Sequence, residues 1–199
     1  DLLFVTSPVL LERAFRHTSL GAQFLILGAL YYYFKLHREG RYASAGLFVL
    51  NLVAIGIHPY FLPMTYAVTL ALLLEHGQRT RHWGRPALYL AADLGCTLGL
   101  GWCLGLFYGT ASSGGQALYG YFSMNLNALW NPVGVNGVCY SRVLPVLNQV
   151  NGNYDAFAYL GLGILVALPV ALVLDRCRCL RRLREHWALV VVCAILTVF

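Results

Sequence analysis

The chain has 199 residues, of which 59 % are hydrophobic and 11 % charged, with a mean hydropathy of +0.64. Soluble domains carry about 25 % charged residues, so roughly half the usual solubilising charge is missing, and the composition predicts an integral membrane protein. The formal charge of +6, from 14 Lys and Arg against 8 Asp and Glu, is spread in short clusters that fit membrane topology and not a nucleic-acid surface.

Residues 1–17 mix apolar side chains with Glu12, Arg13, Arg16 and His17, and Ser7-Pro8 puts proline where a first helical turn tolerates it. A short amphipathic or interfacial helix is expected there. A first span follows over about 18–34 and closes in three tyrosines, as at a membrane interface. Lys35, Arg38 and Arg41 then lie in a turn with Gly40. The second span covers about 42–57 and stops at His58-Pro59; Pro59 and Pro63 bracket a tight HPYFLP turn, and a third span returns over about 62–74. A basic loop with Arg79, Arg81 and Arg85 leads to a fourth span over about 87–108, apolar apart from Asp93. After a long polar segment, a fifth span is predicted over about 156–174, then a basic stretch over 175–185, and a sixth span beginning near His186.

The expected fold is therefore all-α: a polytopic transmembrane helix bundle of about six spans, one domain over residues 1–199, with one long external loop at 110–155 that holds an interfacial helix. Eleven of the 14 cations fall in alternate loops, and Arg13, Arg16 and Arg142 in the opposite set. The rule that short cytoplasmic loops retain Lys and Arg places the long polar segment on the non-cytoplasmic side. The chain starts at Asp1 without an initiator Met, and its last apolar run covers only ~20 Å at ~1.5 Å per residue, short of the ~30 Å bilayer core. Both ends are expected to continue into a larger protein.

The polar segment offers the candidate binding residues. Asn125, Asn127, Trp130 and Asn131 lie in SMNLNALWNP, with Asn127 and Asn131 spaced to share a helix face. Amides beside aromatic rings suit a sugar, whose hydroxyls need hydrogen bonds and whose C–H faces pack on rings; the same residues also suit turn caps and headgroup-depth anchors. Arg142 fits a phosphate or an ion pair with Asp155. Tyr154-Asp155 sits at the mouth of the fifth span, where the acid suits a general base, a metal ligand or an N-cap. His58 and Tyr60, on the same side, could donate to a leaving-group oxygen or pyrophosphate; a helix-end histidine also bonds a free carbonyl.

Inside the apolar runs, Asp93 is a functional hypothesis by default, with a neighbouring arginine as the expected partner, and Gln23 and Asn51 are expected to hydrogen-bond between helices. The six cysteines form no disulfide framework. Cys177-Arg178-Cys179 lacks the second pair a metal site needs, so no metal ligands are assigned. No P-loop, GxGxxG, HExxH or GxSxG motif is present.

At FSMNLNALWNP, SRVLP and GNYDAFAYLGLG, with RHTSLGAQFLILGALYYYF and IHPYFLPM upstream, the chain resembles an uncharacterised family of bacterial polytopic membrane proteins. That family looks distantly like the C-type (GT-C) glycosyltransferases, which take sugar from a polyprenyl-phosphate carrier outside the cytoplasm. The resemblance implies a bacterial inner-membrane protein that binds lipid-linked sugar at its external face. Its catalytic acid would lie upstream of Asp1. It leaves a divalent metal open for the full-length protein and identifies no other cofactor. The alternatives are a transporter or flippase-type bundle and a non-catalytic membrane subunit; nucleic acid is not an expected partner.

Overall fold

The computed structural model describes residues 7–11, 21–108, 126–134, 137–147 and 157–198. Their helices, in chain order, are α1 (Phe24–Glu39), α2 (Ala45–Ile57), α3 (Phe61–Thr80), α4 (Gly84–Cys103), a 3-10 turn at Leu126–Leu129, α5 (Leu162–Leu174), α6 (Arg176–Glu185) and α7 (Trp187–Val198). A helical turn at 8–11 follows Ser7, as the Ser-Pro pair predicts. The contacts divide the chain into two compact units: Ala22–Gly109 with Leu180–Phe199, and Asp1–Gly21 with Thr110–Cys179.

Apart from α6, which spans the basic stretch, the helices fall where the apolar runs lie, but the transmembrane bundle is corrected: among the described residues no helix is long and apolar enough to cross a membrane. The reason is in the lengths. The most apolar helices, α2, α5 and α7, have 13, 13 and 12 residues, ~20 Å at ~1.5 Å each against a core of ~30 Å. The two helices of 20 residues are interrupted: α3 ends in Glu75, His76, Gln78 and Arg79, and α4 carries Arg85 and Asp93.

In the first unit α3 is the hub and packs against α1, α2, α4 and α7. Its buried stripe, Val68, Ala71 and Leu72, meets Ala29, Tyr33 and Leu36 of α1, Leu47 of α2 and Ala188, Leu189 and Val192 of α7. Each fully buried Leu side chain contributes ~1.5–3 kcal/mol relative to exposure, so this cluster is what fixes α7, which arrives more than a hundred residues after α3, onto its surface. Turn chemistry sets the helix ends. Gly40 (φ 68°) closes α1 in the left-handed conformation, with its N–H and that of Arg41 bonded to the His37 and Leu36 carbonyls. Ser44 caps α2 by accepting from the Leu47 N–H at 3.0 Å.

In the second unit, the 3-10 turn runs into a small hairpin: Val133 bridges Cys139, and Gly134 and Tyr140 donate backbone N–H groups to Val138 and Pro132. Helix α5 follows and has no buried residue. None of the six cysteines is in a disulfide.

Candidate metal centre

The chemistry-bearing cluster of the first unit sits where α1, α3 and the start of α7 converge. Tyr33 is buried in the core (1 % exposed), and a buried phenol requires a partner for its hydroxyl. It finds Glu75: Tyr33 Oη donates to Glu75 Oε2 at 2.6 Å. Glu75 is itself 2 % exposed, near the end of the apolar run LALLLE, and a carboxylate so placed must be fully engaged. Its other oxygen, Oε1, accepts from the backbone N–H groups of Ala188 (3.1 Å) and Leu189 (3.5 Å). These are first-turn amides of α7, so a side chain from α3 fills the role of that helix's N-cap, at the end where the helix dipole favours an anion.

Two histidines complete the cluster. His37 is presented by the last turn of α1, which Gly40 terminates, and its Nδ1 lies 3.1 Å from Glu75 Oε2. His186 is the single residue joining α6 to α7; its Nδ1 is 2.8 Å from Tyr33 Oη and 4.0 Å from Glu75 Oε2. The two imidazole centroids are 4.5 Å apart. With the Tyr33 proton directed at Glu75, the His186 Nδ1–H donates to the phenol oxygen. Burial, reinforced by His186 and opposed by Glu75, pushes His37 below its ordinary value, and burial first, then Glu75, pushes the Tyr33 phenol up. One donor atom from each of His37, Glu75 and His186 lies within 4.8 Å of the others. A tetrahedral ion with bonds of about 2.0–2.1 Å places its ligands ~3.3 Å apart, so small side-chain rotations would bring all three onto one ion.

Beside the cluster opens a cavity of about 570 Å³, lined by His37 and Glu75 together with Gln78, Arg79, Arg184, Glu185 and Trp187. Trp187 is anchored to α3 by Nε1–H donation to Gln78 Oε1 at 2.7 Å.

A second buried polar group links α2, α3 and α4. Asn51 Nδ2 donates to Asp93 Oδ2 at 2.6 Å and, more weakly, to Thr69 Oγ1 at 3.4 Å. Asn51 is thus an interhelical partner, as the sequence suggests, but the expected arginine partner of Asp93 is replaced by an amide. Burial pushes the Asp93 carboxyl up, against the hydrogen bond from Asn51, while the Tyr66 hydroxyl donates to Thr97 Oγ1 at 2.9 Å. Burial likewise pushes the Tyr66 phenol up to about 12. Asp93 Oδ1 and Asn51 Oδ1 have no hydrogen-bond partner among the described residues.

The sugar-binding candidates fall in both units. His58 ends α2 with its own N–H on the Ala54 carbonyl, and its Nδ1 accepts from the Tyr60 N–H at 3.2 Å; the Tyr60 side chain is exposed. In the other unit, the Asn131 side chain is buried and clamps the chain at Leu147, donating to its carbonyl at 2.8 Å and accepting from its N–H at 3.4 Å. Asn127 lies on the 3-10 turn, Trp130 is exposed just after it, and Arg142 is exposed. Asn125, Tyr154 and Asp155 lie outside the described residues.

His37, Glu75 and His186 were not among the sequence candidates. They come from α1, α3 and the joint between α6 and α7 and share no motif spacing. The one sequence signal is Glu75, an acid closing an apolar run. Comparison with curated proteins and with solved structures gives no match. The comparisons therefore name no glycosyltransferase and no transporter. A family model described as a domain of unknown function (DUF6311) matches residues 1–199, and the chain belongs to that family.

Proposed function

We propose that this domain binds a divalent transition metal through His37, Glu75 and His186, with an open coordination position toward the adjoining cavity. The observation that supports this is the convergence of two imidazoles and one carboxylate, from α1, α3 and the α6–α7 joint, beside a cavity that His37 and Glu75 line. Two nitrogens and one carboxylate oxygen suit zinc or iron(II). Three protein ligands beside a ligand-sized space is the pattern of a catalytic ion, since structural zinc sites take a fourth protein ligand. Such an ion would lower the pKa of a bound water or polarise a carbonyl or phosphoryl oxygen. Tyr33 holds Glu75 through a hydrogen bond to Oε2, the oxygen that also faces the two histidines, an outer-shell contact of the kind that orients ligating carboxylates.

Cobalt(II) titration of the purified protein tests this. One equivalent should bind with d–d bands of nitrogen and oxygen ligation and without a thiolate-to-cobalt charge-transfer band, which excludes the free cysteines. Glu75→Gln and His186→Ala should each weaken binding by more than the roughly 10- to 100-fold that loss of an outer-shell partner costs. Absent binding, or binding indifferent to both substitutions, overturns the proposal and leaves the cluster as a hydrogen-bonded network.

A further inference from the structure

The cavity beside the triad is lined by two carboxylates, Glu75 and Glu185, and two guanidinium groups, Arg79 and Arg184. Glu185 is paired with Arg182 at 3.1 Å. Glu75 is committed to Tyr33 and to the first-turn amides of α7. Gln78 is held by Trp187. Arg79 and Arg184 also line the cavity, and neither forms an ion pair with a described residue. Two guanidinium groups therefore face one space, each without an ion-pair partner among the described residues, and Glu75 is the one lining carboxylate not paired with an arginine. They reach it from different helices, Arg79 from the last turn of α3 and Arg184 from the last turn of α6.

We infer that this cavity binds a phosphate group, with Arg79 and Arg184 taking its oxygens and the ion of the triad, on the reading above, taking one more. Guanidinium forks match phosphate oxygens in geometry and charge. The volume of about 570 Å³ lies within the 300–1,000 Å³ usual for small-molecule sites, so a phosphate would fill only part of it. The remaining space, bounded on one side by the indole of Trp187, suits an organic phosphate ester or diphosphate. The same chemistry is offered by a soluble phosphate ester and by a lipid phosphate headgroup.

The test uses the whole chain, first titrated with cobalt(II) and then with pyrophosphate by calorimetry, and separately by flotation with phosphatidylcholine vesicles with and without phosphatidic acid. Arg79→Gln with Arg184→Gln should weaken pyrophosphate binding about tenfold or more. Arg81→Gln with Arg85→Gln, at the neighbouring cavity that also holds His76 and His82, should change it less than about twofold. Far-UV circular dichroism of both double variants checks the fold. Phosphatidic-acid-dependent flotation lost in the Arg79/Arg184 variant, without pyrophosphate binding, supports the site and assigns it to lipid phosphate. Pyrophosphate binding alone supports it and assigns a soluble ligand. Cobalt bound with neither phosphate bound overturns the inference and leaves the metal reading standing. Arginine-dependent phosphate binding without cobalt retains the anion site and removes the metal. Binding that is lost instead in the Arg81/Arg85 variant overturns the inference.

Discussion

Asp93 gives the sharpest quantitative test of the structure. Its carboxyl and the Asn51 amide are both fully buried, one strong hydrogen bond joins them, and each keeps one oxygen without a described partner. Replacing Asp93 by Asn substitutes an NH₂ donor for one of those oxygens. The new amide can accept from Asn51 Nδ2 and donate to Asn51 Oδ1, so one unpartnered acceptor disappears and the other acquires a donor. Leaving a buried polar group unsatisfied costs ~1–3 kcal/mol, and Asp93→Asn is therefore expected to stabilise the protein by that order at about pH 7. The gain should depend on pH in one direction. Burial raises the folded pKa of Asp93 above its ordinary value of 3.8. The stability contributed by the protonated carboxyl is thus fully present below about pH 3.8 and is lost as pH rises through the folded value. A protonated Asp93 offers the same donor as the introduced amide. The advantage of the variant should accordingly shrink toward zero as pH falls from about 7 to about 4. Urea unfolding of both proteins across this range, followed by far-UV circular dichroism, reads the difference directly, because all other titrating groups cancel. A variant less stable than the parent at about pH 7, or a difference constant across the range, would refute the reasoning.

Glu75→Ala removes the acceptor for the buried Tyr33 hydroxyl and the Ala188 N–H; at ~1–3 kcal/mol for each stranded donor, a loss of about 2–6 kcal/mol is expected in urea unfolding, with a smaller loss for Glu75→Gln. Asn131→Ala opens the clamp on Leu147 and should cost ~1–3 kcal/mol, read as faster hydrogen exchange at the Leu147 amide with the amides of α3 unchanged. Gly77→Ala places a Cβ 2.5 Å from the Trp83 ring, so the indole must move, and the tryptophan fluorescence of the variant should shift to longer wavelength; an unchanged spectrum would mean that Trp83 does not rest on α3.

Helix positions were legible in the sequence because they are local. Breaks fall at all three predicted connections but are shorter than read: Lys35 and Arg38 belong to α1, which Gly40 closes, Phe61 and Pro63 belong to α3, and α3 runs on to Thr80 before α4 starts at Gly84. Asn51 was legible too, since an amide in an apolar run must find a partner across a helix contact. What failed was the step from apolar run to membrane span. The run 42–57 looks like sixteen residues, but Ser44 caps the helix and leaves thirteen, and the run 62–74 continues through Glu75 and Arg79 within one helix. The apolar excess is there in the fold: Val173 and Leu174 of α5 are 83 % and 79 % exposed. Hydropathy measured that excess correctly, but it does not measure how long each uninterrupted helix is. The partner of Asp93 was misread for a related reason: Arg79, Arg81 and Arg85 are close in sequence but stand exposed at the α3–α4 turn, whereas Asn51 is carried in by the packing of α2 on α4.

The triad was illegible because its members are separated by 38 and 111 residues in the chain and meet only once α7 has docked. That dependence bears on function. Apolar packing between α3 and α7 is non-directional and tolerates small slides. The Glu75 carboxylate does not, because it must reach two particular amides of α7 while holding Tyr33. One buried acid thus sets the register of the last helix and, with it, the placing of His186 against His37. Any ligand that binds the assembled cluster, and not the chain with α7 released, must stabilise that docking by mass action. Occupancy of the site and seating of α7 are two sides of one equilibrium, and Glu75 is the residue common to both.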